Sequence, residues 1–130
     1  MSISPSEKVL VSIEDGIAIV TINNSTANTW DLESLRALEA VVNELNGMAN
    51  VRALVITGQG EKFFSAGADL NQFASGDPVA AGAMGDAFGT AFETLADYRG
   101  VSIAAINGYA MGGGLEVALA CDVRIAESHA

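Results

Sequence analysis

Ile17-Ala18-Ile19-Val20-Thr21-Ile22 and Ala53-Leu54-Val55-Ile56-Thr57 are two short apolar runs rich in β-branched residues, and what lies between them decides the fold. Leu32, Leu35, Leu38, Val41, Val42, Leu45 and Met48 recur there at helical spacing, behind Asp31 as a cap and ahead of Gly47 to Asn50 as a stop. Strand, helix, strand in that order is a βαβ crossover, which predicts a parallel sheet with helices outside. Upstream, Val9, Val11 and Ile13 alternate with Leu10 and Ser12. Glu14-Asp15-Gly16 then predicts a hairpin turn into the run at Ile17.

Beyond Gly58-Gln59-Gly60 the chain continues into Phe63-Phe64-Ser65-Ala66-Gly67-Ala68-Asp69-Leu70, small residues around a glycine. Ala74 to Gly89 is rich in Ala and Gly, and Asp77-Pro78 starts a helix predicted to reach Tyr98, with Phe88, Phe92, Leu95 and Tyr98 as its apolar stripe. Val101 to Ile106 predicts another buried strand. Asn107-Gly108-Tyr109-Ala110-Met111-Gly112-Gly113-Gly114-Leu115-Glu116 then leads into a helix from about Gly113 to Cys121, and Val123 to Ala126 is a last strand. No linker, repeat or low-complexity tract divides the chain.

The 130 residues are enough for one small domain, half of them apolar, with no uninterrupted apolar run near the roughly 20 residues that cross a bilayer. The first eight residues lack the marks of a secretory signal, so a cytoplasmic location is expected by default. A net charge of −10 argues against nucleic acid as a partner. Cys121 is the only cysteine, which excludes an internal disulfide and a cysteine-based metal site. A phosphorylated ligand would have to use local bases or backbone donors, and Lys62 and Arg99 are the bases beside the glycine-rich stretches.

Those two stretches share one design. Ser65-Ala66-Gly67-Ala68 and Gly112-Gly113-Gly114 each follow a strand and carry side chains too small to shield their backbone N–H groups. At the carboxyl ends of parallel strands they could aim two N–H groups at one carbonyl oxygen, an oxyanion hole suited to a thioester or amide. Glu116, three residues beyond Gly113, would face the same pocket as a carboxylate for proton work. A plainer account exists: a glutamate near a helix N-terminus is favourable by about 0.3–1 kcal/mol without any chemistry. The glycines have neither dinucleotide nor P-loop spacing. Asp69 either caps a turn, places its loop or touches the ligand, and Trp30 reads as a packing anchor. Cys121 reads as a buried small hydrophobe, and His129 as part of a frayed end.

Taken as a pair, Phe64 to Leu70 and Ala104 to Glu116 closely resemble the enoyl-CoA hydratase/isomerase (crotonase) family, and Ala118 to Ala126 continues the likeness. The resemblance implies an α/β fold, the spiral of repeated ββα units, incomplete here: residues 1–130 would be the N-terminal portion, without the C-terminal half and its trimerisation helices. It implies an acyl-coenzyme A thioester as substrate, coenzyme A being part of that substrate rather than a cofactor, and a chemistry for which no metal or redox cofactor is expected. By resemblance the N–H groups of Ala68 and Gly113 are the oxyanion donors, and Ser65 and Ala66 are the backbone that meets the adenine. Lys62, Asp69 and Gly112 are further substrate-binding candidates. Glu116 matches the first of two catalytic glutamates and would hold and activate the water added across the α,β double bond. Full-length relatives are expected to be homotrimers or hexamers.

The sequence departs from the family pattern in places. Asn23 to Thr26 lacks the Arg-Pro or Lys-Pro often found there, and Arg99-Gly100 stands where Lys-Pro is common. The family's second glutamate lies past the last strand, so 130 residues by themselves are expected to give weak or no hydratase activity. The other readings are an isomerase or hydrolase of the same family, or a non-catalytic acyl-CoA-binding or assembly fragment.

Overall fold

The computed structural model describes residues 3–72 and 76–130; Ala74, where the Ala- and Gly-rich segment begins, lies outside them. Its elements are β1 (Val9–Glu14), β2 (Ile17–Ile22), α1 (Leu32–Asn46), β3 (Ala53–Gly58), β4 (Phe63–Ser65), a 3-10 turn (Leu70–Gln72), α2 (Pro78–Ala96), β5 (Val101–Ile106), β6 (Tyr109–Ala110), α3 (Gly113–Ala120) and β7 (Val123–Ala126). Two strands followed by a helix therefore occur three times in succession. The larger sheet has the order β1-β2-β3-β5-β7, with the β1–β2 hairpin antiparallel and every other pair parallel. That matches the crossover read from the two apolar runs.

The short strands β4 and β6 were not foreseen. They pair in parallel as a separate two-stranded sheet, Phe63 opposite Tyr109 and Ser65 opposite Ala110. Three and two residues are too few for an alternation pattern to register, and both lie in segments whose glycines read as loop. Gly108 permits the pairing: a Cβ there would overlap the carbonyl oxygen of Lys62, whose backbone accepts the Tyr109 N–H at 2.9 Å.

Helix α1 begins as its sequence suggests. Asp31 accepts the Ser34 N–H at 2.8 Å while the Ser34 hydroxyl oxygen accepts the Asp31 N–H at 2.9 Å, so two end donors are satisfied reciprocally. Lys8 adds an ion pair at 2.6 Å. Burial pushes the Asp31 carboxyl up, but the bonds from Lys8 and Ser34 outweigh it and hold the group below its ordinary range. Leu35, Leu38, Val41, Val42 and Leu45 of the apolar stripe are wholly buried in one core with Ala18, Val20, Ile22, Leu54, Ile56 and Ala104 of the inner sheet face, while Leu32 and Met48 at its ends are partly buried. The outer face is different. Ile17, Val101, Val123 and Ile125 are exposed, so β5, expected to be buried, has one open side.

Arg99 belongs to this framework. Its backbone N–H donates to the Asn46 side-chain oxygen and its guanidinium to the carbonyls of Asn46, Met48 and Val51, tying the segment after α2 to the end of α1 and the turn that follows it. His129 is also held rather than frayed: its Nε2 lies 2.9 Å from the Asn107 carbonyl oxygen and 3.3 Å from that of Glu61.

Candidate active site

The loop after β4 and the loop before α3 meet through glycines. A Cβ on Gly67 would stand 3.0 Å from the Gly113 nitrogen, and one on Gly114 would overlap the Ser65 carbonyl oxygen. Gly67 has φ +99° and Gly112 has φ +53°, left-handed backbone that favours glycine. The residues picked from the sequence as two separate glycine motifs are thus brought into contact.

Within this junction the N–H groups of Ala68 and Gly113 are among those with no acceptor among the described residues. Ala68 forms a parallel bridge with Trp30, but the bonds run from Trp30 N–H to Gly67 O and from Asp69 N–H to Trp30 O, each 2.8 Å. The N–H of Ala68, between them, is left out. At the start of α3, Gly114 donates to Met111 O at 2.8 Å and Glu116 to Gly112 O at 3.0 Å, while Gly113 donates to none. Gly112, the N-cap residue, has no side chain to cap that end. Unpaired donors at a helix start suit a developing negative charge.

The other candidates divide. Ser65 is fully buried, and its hydroxyl oxygen accepts the Gly67 N–H at 3.2 Å, so its side chain braces the loop from within. The Ala66 N–H is committed to Ala27 O at 2.9 Å. Asp69 accepts the Asn71 N–H at 3.0 Å, the turn-capping role among its three possibilities. Lys62 is exposed, its ammonium 5.6 Å from the Phe63 ring centroid.

Glu116 is exposed on the first turn of α3. With Gly85, Phe88, Gly89, Phe92, Glu93 and Ala96 of α2 it lines a cleft of about 460 Å³. Phe88 touches the junction itself, since a Cβ on Gly113 would stand 2.8 Å from its ring. Trp30 packs behind, edge-on to Phe92 at 6.1 Å, fully buried as expected of an anchor. Its Nε1–H is buried without an acceptor among the described residues, which nothing in the structure explains. No group of three or more His, Cys, Asp or Glu side chains that could hold a metal occurs among the described residues.

Sequence reading missed the residues that hold the loops in place. The Asn107 amide donates to the carbonyls of Gly58, Gly60 and Phe63 at 2.9–3.1 Å, and its oxygen accepts the Gly58 N–H at 3.0 Å. Asn28, buried with φ +53°, donates to Gln59 O and Phe63 O at 3.1 Å each. Asparagine in a turn-rich loop was the available signal, and it says nothing of distant partners.

Comparison with known proteins gives this geometry a family. The sequence model of the enoyl-CoA hydratase/isomerase family matches residues 12–130. The chain is 37% identical over 123 residues to the short-chain-enoyl-CoA hydratase of Clostridium acetobutylicum, covering 94% of this chain and 47% of that protein. Among solved structures, Pseudomonas aeruginosa DspI superposes with a TM-score of 0.95 at 59% identity, over 96% of this chain and 51% of DspI. The Bacillus anthracis enoyl-CoA hydratase does so with a TM-score of 0.92 at 35% identity, over 95% and 49%. The chain spans about half the length of the relatives it matches, and over that span its fold is that of the crotonase spiral. From the motif pair, the meeting of the two loops and these likenesses, the chain belongs to the enoyl-CoA hydratase/isomerase, or crotonase, family.

Proposed function

We propose that this chain carries the thioester-polarising part of an enoyl-CoA hydratase-like site, acting on an acyl-coenzyme A. The observation that carries the reading is the pair of unpaired N–H groups at Ala68 and Gly113, on two loops in backbone contact. In this reading both donate to the thioester oxygen. Polarising that carbonyl makes the β-carbon electrophilic and stabilises the enolate formed when water adds. Glu116, on the cleft that adjoins Gly113, holds the water and takes its proton. A second acid returns a proton to the α-carbon. By family likeness that acid lies beyond the strand Val123–Ala126, and the family's trimeric or hexameric assembly is proposed for the whole protein only.

The test is crotonyl-CoA hydration by a chain extended through the second half, compared with its Glu116→Gln variant. A loss of about 10²-fold or more in kcat with little change in KM is expected for a general base. Unchanged hydration would remove Glu116 from this role, whereas no hydration by either protein would leave an isomerase or hydrolase of the same family as the better reading.

One observation favours a second reading, an acyl-CoA-binding unit that associates with another polypeptide: the exposed apolar residues of the outer sheet face, Ile17, Val101, Val123 and Ile125. Gel filtration with and without coenzyme A distinguishes it, a monomer indifferent to the ligand counting against it.

A further inference from the structure

We propose that His129 is a positioning residue for the two glycine loops, its Nε2–H serving as an outside rung that fixes β4 against β6 and so spaces the Ala68 and Gly113 donors. The inference rests on the thioester-polarising reading above and adds to it a residue that belongs to neither loop. Nε2 of His129 lies 2.9 Å from the Asn107 carbonyl oxygen and 3.3 Å from that of Glu61. Both partners are carbonyls, which only accept, so the proton sits on Nε2 and is shared between them, whether the ring is neutral or charged. The two acceptors hold equivalent places. Glu61 stands two residues before Phe63 and Asn107 two before Tyr109, and Phe63 opposite Tyr109 is the first pair of the β4–β6 ladder. Neither oxygen takes another bond among the described residues.

The ladder needs such a rung. Three residues paired with two, as a separate sheet, do not hold a register by themselves. The pairing also shifts between Phe63 and Ser65, where β4 advances two residues against one of β6. A slip there moves Ala68 relative to Gly113, because neither lies more than five residues past the first pair. The imidazole itself is delivered by a fixed turn: the Glu127 N–H donates to Ile106 O at 2.9 Å and the Ala130 N–H to Glu127 O at 3.0 Å. His129 thereby joins the exit of β7 to the entries of β4 and β6. It acts on the donors through Asn107, whose amide reaches Phe63 O at 3.1 Å. Oxyanion donors stabilise charge only where they are already aimed, and a misplacement of about 1 Å can cost about 10²-fold in rate.

The experiment assays crotonyl-CoA hydration by the chain extended through the second half, with His129→Gln, His129→Asn and His129→Ala. Glutamine places an amide N–H where Nε2 stands, whereas asparagine places its own at the level of Nδ1, short of both carbonyls. His129→Asn and His129→Ala are expected to lower kcat about three- to tenfold, the worth of one hydrogen bond, with KM within about twofold of wild type. His129→Gln keeps kcat within about twofold. Amide exchange of Tyr109 and Met111, which bond Lys62 O and Ser65 O across the ladder, quickens about threefold or more in the asparagine and alanine variants and not in the glutamine one. A general loss of stability would not spare glutamine while penalising asparagine. Unchanged kcat or unchanged exchange in His129→Ala, or an equal loss in all three variants, overturns the proposal. Absence of hydration by wild type overturns the hydratase reading instead, and the exchange pattern then decides alone whether His129 holds the ladder.

Discussion

A side-chain carbon on Gly67 would stand 3.0 Å from the peptide nitrogen of Gly113 and 2.9 Å from the carbonyl oxygen of Met111. The two loops touch through backbone, with no side chain between them. Gly67→Ala must therefore part the loops, and it also places an alanine at φ +99°. We expect a loss of about 1–3 kcal/mol in urea unfolding, from overpacking and backbone strain. We also expect loss of butyryl-CoA binding by calorimetry. Wild-type stability and binding together would contradict the contact.

Gly114 and Gly82 give opposite signs for one substitution. Alanine normally stabilises a helix interior over glycine by about 0.5–1 kcal/mol. At Gly82 a Cβ meets nothing, so Gly82→Ala raises the urea midpoint. At Gly114 the Cβ overlaps the Ser65 carbonyl oxygen and lies 2.8 Å from the Ser65 Cβ, and the steric cost of about 1–3 kcal/mol wins. A stabilised Gly114→Ala protein would show that α3 does not pack on β4 as described.

Asn107→Asp keeps the acceptor that receives the Gly58 N–H but removes the donor shared by three carbonyls. Destabilisation of about 1–3 kcal/mol is expected, the usual cost of stranding such groups. Asn107→Ala should be at least as damaging. Amide hydrogen exchange of residues 58–66 reads the effect locally, and unaltered protection in both variants would refute the role.

Asp31 and Lys8 make stability depend on pH at both ends of the scale. The Asp31 carboxyl is held below its ordinary value of 3.8, so its contribution is fully present above that value and disappears as pH falls through the lower folded pKa. The hydrogen bond to Asp31 outweighs desolvation and raises Lys8 above 10.5, so its contribution is present below that value and is lost as pH rises past the folded one. Asp31→Ala should cost about 0.5–2 kcal/mol at neutral pH through the lost cap, and flatten the acid limb of a stability profile. An acid limb identical to wild type would show that Asp31 does not supply it.

Burial pushes the Cys121 thiol up to about 11, beyond what the Ser102 bond and Arg124 recover. At pH 8 the native thiol should react with iodoacetamide at least about tenfold more slowly than in urea, because the thiolate is the nucleophile. The neutral form is favoured by folding, so stability should fall as pH rises from 9 toward 11. Equal rates in the two states would show that the thiol is not shielded.

Much of this fold is legible in residue order because its longer elements repeat a pattern. The stripe Leu35, Leu38, Val41, Val42, Leu45 and the alternation in Ile17 to Ile22 each announce one buried face. Both glycine motifs were visible too, and so was their likeness to a family. What could not be read is how far-apart segments are fastened. Asn28 and Asn107 act through bonds to backbone dozens of residues away, and β4 and β6 exist only because they find each other. The cleft along α2 was equally hidden: Phe88 and Phe92 read as a core stripe, yet both are only partly buried and line open space beside Glu116.

The carbonyl oxygen of Phe63 receives two side-chain amides, from residues 35 and 44 positions away along the chain. Three distant segments are knotted at that one atom, immediately before the first glycine loop. The loop's shape is therefore a property of the whole span from Asn28 to Asn107, acquired only when that span has closed. Loop closure of this kind is slow and concerted compared with forming α1. Each glycine motif therefore owes its shape to backbone supplied by the other and by the two asparagines, rather than to its own residues alone.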